Sequence, residues 1–246
     1  MATKRHLNNA PIREALIDIR CQPAASLDAV SQFAGRLVKP GYQIADLWEA
    51  TMEMKLEQGQ PPPAPSHTAS LIGKRIDFAD RRNVVQLKTT GCTYSRLAPY
   101  ETWEAMTDHA FEVWGDFVKA VPFEAVERIA VRYINSIQLP LPILDFATYL
   151  NCPPVIPQGL PQEVGGFVSR ISFSREGDVA TVTQMIESGT PGGDFLNILV
   201  DIEVATTCSH RAADADSIRT TAKRLREFKN DVFFGFLTDS ALERYA

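Results

Sequence analysis

The 246 residues suffice for one large domain or two small ones, and a content of 45% apolar and 22% charged residues is typical of globular chains rather than disordered ones. The formal net charge of −5 argues against a generic nucleic-acid-binding protein, because neutralising phosphates needs a concentrated basic surface. No stretch approaches the roughly 20 apolar residues that span a bilayer, and the four scattered cysteines form neither a zinc motif nor a disulfide framework. We therefore expect a cytoplasmic protein with reduced thiols, no membrane segment, no metal and no cofactor.

The N-terminal part of the chain predicts a tail, a strand and a helix, in that order. Residues 1–9 carry basic side chains without the apolar core of a signal peptide, so we expect a short frayed tail. Apolar and charged residues alternate over 12–21, which is typical of a strand with one buried face. Ser26 is a suitable N-cap for a helix with an apolar stripe, and Lys39-Pro40-Gly41 ends that helix.

Three further strands are predicted before the next helix, over 47–57, 68–78 and 83–97. The proline-rich segment 58–67 separates the first two and is expected to form an extended loop, since proline cannot donate to a strand ladder. The helix over 102–121 has the clearest periodicity of the chain, with aromatic and apolar residues on one side and acidic residues on the other.

The second half of the chain shows the same kinds of element in a similar order. A strand over 123–139 precedes a short helix over 143–150 and a connection rich in proline and glycine. Three strands then follow, over 167–175, 179–187 and 195–206. Two capped helices come last, one from Asp214 or Asp216 to Phe228 and one from Thr238 to Tyr245.

These elements predict an α+β fold made of a duplicated β-α-β-β-β-α unit, with helices on one face of a mostly antiparallel sheet. We expect a single domain over 1–246, with pseudo-repeat halves at 11–122 and 123–231 and a terminal helix over 232–246. Nothing between the halves resembles a flexible linker, which favours one joined sheet over two free domains.

Several short motifs occur in order along nearly the whole chain: Pro11-Ile12-Arg13-Glu14-Ala15, Arg132-Tyr133-Ile134-Asn135, Leu225-Arg226, Lys229-Asn230 and Phe233-Phe234. In this combination the chain resembles a sporadically distributed bacterial protein family of unknown function, whose members are about this long. The resemblance implies no activity. The patchy distribution of that family implies a context associated with defence or mobile elements.

Charged residues on three predicted strands form the first candidate site. Within each strand an even spacing points the side chains to the same side of the sheet; the residues are Asp18 and Arg20, Arg128 and Arg132, and Asp201 and Glu203. If the helices cover the apolar side, these residues share the open face, as a ligand or partner surface or as ordinary cross-strand ion pairs. The neighbouring carboxylates of Asp201 and Glu203 could also hold a divalent ion for hydrolysis.

A second candidate surface lies close to the C-terminus. Arg219, Lys223 and Arg226 follow one another at i, i+4 and i+7, so they share a helix face that could meet phosphate or an acidic partner, or could simply be solvated. A dense aromatic run behind them must be buried, either on the core of the protein itself or in a homodimer or heteromeric interface; it comprises Phe233, Phe234 and Phe236.

No phosphate loop, nucleophile elbow or zinc-protease motif occurs in the sequence, so we assign no catalytic residue. We expect a non-enzymatic binding or protein-interaction module, with a protein partner encoded by a neighbouring gene. The alternatives are a metal-dependent phosphodiesterase or nuclease, and nucleic-acid binding through the basic helix, which the net charge does not favour.

Overall fold

The computed structural model describes residues 2–53, 66–187 and 193–246. Within these ranges the chain forms nine strands, four α-helices and two short 3-10 turns. In chain order the strands and α-helices are β1 (Ile12–Gln22), α1 (Leu27–Leu37), β2 (Gln43–Glu53), β3 (Ser66–Asp77), β4 (Asn83–Lys88), β5 (Gly91–Leu97), α2 (Trp103–Ala120), β6 (Ala125–Pro140), β7 (Val168–Arg175), β8 (Asp178–Ile186), β9 (Phe195–Arg211), α3 (Ala215–Phe236) and α4 (Asp239–Leu242).

The described strands form one sheet in the order β2-β3-β4-β5-β1-β6-β9-β8-β7, with every neighbouring pair antiparallel. The predicted α+β class is therefore confirmed. In the central pair, Ile17 of β1 lies opposite Val131 of β6, and Asp18 lies opposite Ala130. Because successive side chains of a strand alternate, Ile17 and Val131 share one face while Asp18 and Ala130 share the other.

The helices cover the face that carries Ile17. From α2, Trp114 lines a small apolar space together with Ile17. From α3, Lys229 lies over the ring of Tyr133, which is two residues from Val131 on β6 and so points the same way. The third long helix, α1, is joined to α2 by aromatic rings and to the sheet by contacts with β3 and β4. In the described part of the chain the helices thus lie on one face of the sheet, as predicted.

The duplicated unit is visible in the strand order. Outward from the centre, β5, β4, β3 and β2 follow β1 on one side, and β9, β8 and β7 follow β6 on the other, so the first half has one strand more. Each half ends in a long helix, α2 or α3, on the covered face. The structure differs from the predicted unit in two details: residues 83–97 form two strands, and the predicted helix over 143–150 is only a 3-10 turn, Phe146–Thr148.

A glycine explains the extra strand of the first half. Gly91 has a φ of +135°, and a Cβ atom at this position would lie 2.0 Å from the carbonyl oxygen of Ile19. Only glycine tolerates both the backbone conformation and the close approach. The chain can therefore turn at residues 89–90 and pair β4 with β5, although the apolar alternation continues across the turn and predicted one strand.

The N-terminal segment packs against the C-terminal helices, so the prediction of a frayed tail over 1–9 is wrong for the described residues. The backbone N–H of Ala2 donates to the carbonyl oxygens of Phe234 and Leu237, both at 2.9 Å. Further along, Arg5 forms an ion pair with Asp239 at 2.5 Å. The start of the chain is thereby held along α3 and α4.

The predicted helix caps are present as hydrogen bonds: the side chains of Ser26, Asp214 and Thr238 each accept from a backbone N–H three residues ahead. The boundary predicted before residue 232 is moved, because α3 continues to Phe236. Most of the predicted proline-rich loop over 58–67 lies outside the described residues. None of the described helices is both long enough and apolar enough to cross a membrane.

Candidate functional site

The structure brings the charged residues predicted on the open sheet face together at its centre. They lie on the adjacent strands β1, β6 and β9. The register places Arg132 directly between Leu16 of β1 and Glu203 of β9, on the face opposite the helices. The full set is Asp18, Arg20, Arg128, Arg132, Asp201 and Glu203.

Asp18 is the centre of a continuous ion-pair network on this face. Its carboxylate accepts from the hydroxyl of Thr93 at 2.6 Å and from the guanidinium groups of Arg20 and Arg128, each at 3.2 Å. The second nitrogen of Arg128 donates to Glu203 at 2.6 Å. Each of these charges is therefore compensated by a neighbour on the same sheet.

Arg132 and Asp201 form a separate pair with two hydrogen bonds, at 2.8 and 2.5 Å. The hydrogen bond to Asp201 raises the pKa of the Arg132 guanidinium, against the effect of its partial burial. Such a fork-shaped pair holds both side chains in a defined orientation. The pair thus fixes two of the predicted site residues to each other.

This arrangement bears on the metal-dependent alternative. The carboxylates of Asp201 and Glu203 are held by different arginines, so neither presents both oxygens to a shared ion. Among the described residues, no three histidine, cysteine, aspartate or glutamate side chains come close enough to hold a metal. Both carboxylates of the predicted metal site are thus engaged in ion pairs with arginines.

The predicted basic stripe of α3, formed by Arg219, Lys223 and Arg226, packs partly against α2. Arg219 forms an ion pair with Asp108 at 3.2 Å and lies 4.4 Å above the ring centre of Phe111. Lys223 is exposed, whereas Arg226 is half-buried near an indole ring at the start of α2. The stripe is thus packed at Arg219 and exposed at Lys223, and Arg226 lines a cavity that is described below.

The aromatic run predicted as an interface packs within the chain. Phe233 is buried, and Phe234 and Phe236 are half-buried. Phe236 stacks on Phe173 of β7 with ring centroids 6.1 Å apart. These contacts account for the run without a second molecule, and its role in an oligomer stays a prediction.

A cavity of about 350 Å³ opens where the N-terminal segment, the start of α2, the middle of β6 and the C-terminal half of α3 meet. Its polar lining includes Tyr100, Tyr133, Asn135, Arg226 and Lys229. Cavities of this size match small-molecule ligands, and several polar groups converge in this one. The cavity is therefore a candidate functional site.

Lys229 is the most unusual residue of the cavity, because its side chain is a charged type yet the residue is only 7% exposed. Its ammonium nitrogen lies 3.7 Å from the ring centre of Tyr133. No described residue forms an ion pair or a hydrogen bond with this nitrogen. Burial lowers the pKa of Lys229 to about 7, and the positive charge of Arg226 acts in the same direction.

Tyr100 and Tyr133 form a hydroxyl pair in the same wall, with their oxygens 2.9 Å apart and their rings edge to face. Burial raises the pKa of both phenols, so both stay protonated. The guanidinium of Arg226, which lines the same cavity, lowers the pKa of both in turn. Asn135 is anchored beside them by donating to the carbonyl of Val200 at 3.0 Å.

Other charged groups at the rim are largely satisfied. Arg5 pairs with Asp239, and Glu101 accepts from an arginine of β5 at 2.7 Å. Glu104 and His6 also line the cavity, and neither has an ion-pair partner among the described residues. The first turn of α2, in which the side chain of Thr102 accepts from the N–H of Ala105, adds the positive end of a helix dipole to the wall.

This cavity was not predicted from the sequence, although the sequence contains a signal for it. Lys229 lies four residues after Leu225 and three before Val232, so it occupies a buried stripe of α3 where an apolar residue is expected. Tyr133, Asn135, Arg226 and Lys229 also lie in the motifs on which the family resemblance rests. The structure shows that those motifs meet in space.

Comparison of the chain with protein-family models, with curated proteins and with solved structures finds no match.

Proposed function

We propose that this chain is a non-enzymatic binding protein that takes up a small molecule carrying a carboxylate or phosphate group in the cavity beside Lys229. The observation that carries the proposal is a buried amine next to Arg226, with no acidic partner for either among the described residues. Buried charges in proteins are normally paired.

Two cationic side chains lie side by side in the cavity, which is electrostatically unfavourable, and an anion would relieve this. Two neighbouring cationic side chains repel each other, and this repulsion is less screened in a buried site than in water. An anion between Arg226 and Lys229 supplies the missing opposite charge. The N-terminus of α2 also lines the cavity, and the partial positive charge at a helix start favours an anion.

The open sheet face supports binding less well. Its charges pair with one another, so an incoming ligand or protein would have to break existing ion pairs. We therefore rank two other functions below ligand binding in the cavity: docking of a protein partner on that face, and nucleic-acid binding by the basic helix. We also propose a cytoplasmic location, which the four free cysteines support.

Titration calorimetry with succinate, oxamate and inorganic phosphate tests the proposal. We expect saturable binding of at least one of these anions, weakened at least tenfold by Lys229→Met and by Arg226→Gln. Lys223→Met, on the same helix but exposed, is the matched control and should bind as the wild type does. The proposal is wrong if no anion binds saturably, or if Lys223→Met weakens binding as much as Lys229→Met.

A further inference from the structure

We infer that Lys229 forms a reversible imine with an α-oxo acid held in the cavity, while Arg226 binds the carboxylate of the same molecule. The inference rests on the proposed anion-binding function and names its ligand class. It goes further, because an ordinary anion site requires only charge, whereas an imine requires a nucleophilic amine facing a carbonyl carbon.

The position of Lys229 suits a nucleophile. Its nitrogen lies at the wall of the cavity over the Tyr133 ring and is not engaged by a carboxylate of any described residue. An amine in a permanent ion pair with a protein carboxylate stays protonated and has no lone pair to donate, whereas an amine with a pKa of about 7 is partly neutral at neutral pH and can react in that form. Desolvation and the neighbouring charge of Arg226 both favour the neutral form.

The spacing of the two cationic residues selects the ligand. Arg226 and Lys229 are three residues apart on α3, so they are neighbours on one side of the helix, with Cβ atoms about 5–6 Å apart. A guanidinium binds a carboxylate through two parallel hydrogen bonds. A molecule whose carbonyl is adjacent to its carboxylate would then present the carbonyl carbon to the amine.

The tyrosine pair can supply the proton that the condensation needs. The nitrogen of Lys229 bonds to the carbonyl carbon, and the carbonyl oxygen takes up a proton to form a carbinolamine. Loss of this hydroxyl as water, with a second proton transfer, leaves the imine. The balance is amine plus carbonyl giving imine plus water, so no oxidant or reductant takes part. Tyr100 and Tyr133 are hydrogen-bonded phenols in the same wall, and a positioned phenol can act as a general acid.

Trapping with glyoxylate and sodium cyanoborohydride tests the inference. The reagent reduces an imine to a stable secondary amine, so a labelled lysine gains one carboxymethyl group, which peptide mapping locates. We expect Lys229 to be labelled at least tenfold faster than the exposed Lys223 of the same molecule. Oxamate, whose amide carbonyl forms no imine, should compete with labelling at Lys229 and leave Lys223 unaffected.

Variants separate the roles of the residues. Arg226→Gln should slow labelling of Lys229 at least fivefold, and Arg226→Lys should restore part of the rate by returning a positive charge. Tyr100→Phe should slow labelling more than it weakens oxamate binding. Thermal unfolding of each variant establishes that it is folded.

The outcomes distinguish the two proposals. If oxamate binds saturably but Lys229 is labelled no faster than Lys223, the imine is excluded and the anion site stands. If Lys229 is labelled selectively and oxamate competes, both stand. If neither anion binding nor selective labelling is found, both fall.

Discussion

The side-chain nitrogen of Lys229 lies 3.7 Å from the ring centre of Tyr133, at the boundary between α3 and the central strand β6. The electron-rich face of the ring stabilises the ammonium form, since cation–π contacts strengthen when water is excluded. Burial and the nearby charge of Arg226 stabilise the neutral amine instead. The opposition of these effects leaves Lys229 poised between its two protonation states near neutral pH.

This balance predicts how stability depends on pH. The pKa of Lys229 is lowered from 10.5 to about 7 in the folded chain, so between these values the unfolded chain holds a proton that the folded chain has released. Raising the pH through this window therefore favours the folded state, by about 1.4 kcal/mol per pH unit at most. Lys229→Met lacks this contribution. We expect the variant to be more stable than the wild type at pH 7, with the advantage shrinking toward pH 10.

Urea denaturation of both proteins across this pH range measures the difference directly. Groups that titrate in both proteins cancel in the subtraction. Lys223→Met provides the control, since an exposed lysine should give a difference that does not change with pH. If the stability difference between Lys229→Met and the wild type is also independent of pH, the lowered pKa of Lys229 is contradicted.

The affinity of the cavity for anions should also depend on pH. A bound carboxylate is stabilised by the ammonium form of Lys229, so binding takes up a proton once the free protein has lost it. The wild-type affinity for oxamate should fall as the pH rises above about 7, approaching tenfold per unit, and Lys229→Met should show little slope.

The other charged or titratable groups that face this cavity set the controls. These are Arg5, His6, Tyr100, Glu101, Glu104, Tyr133 and Arg226. Histidine is the side chain that most often changes charge near neutrality, so the titration is repeated in His6→Gln. Loss of the pH slope in that variant, with Lys229 intact, would assign the effect to the imidazole instead.

The ion pairs of the sheet face predict unequal costs for two similar substitutions. The Asp201 side chain is 15% exposed, and its partner Arg132 is 39% exposed. Asp201→Asn keeps the shape but loses the charge, and we expect a loss of about 1–2 kcal/mol of stability after allowing for the solvent around Arg132. Glu203→Gln should cost less than about 1 kcal/mol, because Arg128 retains its contact with Asp18.

Chemical denaturation compares the two variants, and calorimetry with Mn²⁺ adds a test of the metal-dependent alternative. We expect no saturable heat with this ion. A saturable signal in the wild type that disappears in Asp201→Asn would reverse the preference for a structural role and restore the alternative.

Much of the fold could be predicted because burial acts on one side of each strand. Ile17 and Asp18 are neighbours in the chain but face the helices and the open side, respectively, and the alternation in the sequence records that difference. The same alternation placed the charged residues of three strands on one face. It failed at Gly91, where a turn interrupts two strands without interrupting the apolar pattern.

The cavity could not be predicted from local pattern, because its walls come from distant parts of the chain. His6 and Lys229 both line it although they lie at opposite ends of the sequence. Their meeting depends on the N-terminal segment packing along α3, and residues 1–9 show no periodicity that would indicate such packing. Only the buried position of Lys229 on its helix carried a local signal.

The hairpin between β7 and β8 allows a prediction that is independent of any ligand. Its two-residue loop, Glu176-Gly177, has φ values of +52° and +86°, the left-handed conformation required at both positions of the tightest hairpin turn. Glutamate adopts this conformation at a cost that asparagine largely avoids. Glu176→Asn should therefore stabilise the protein by about 0.5–1 kcal/mol, which corresponds to a rise in Tm of about 1–4 °C for a chain of this size. Glu176→Ala removes the same charge without the tolerance for positive φ, so it should give no gain. An equal rise in both variants would show that charge, not backbone conformation, limits this turn.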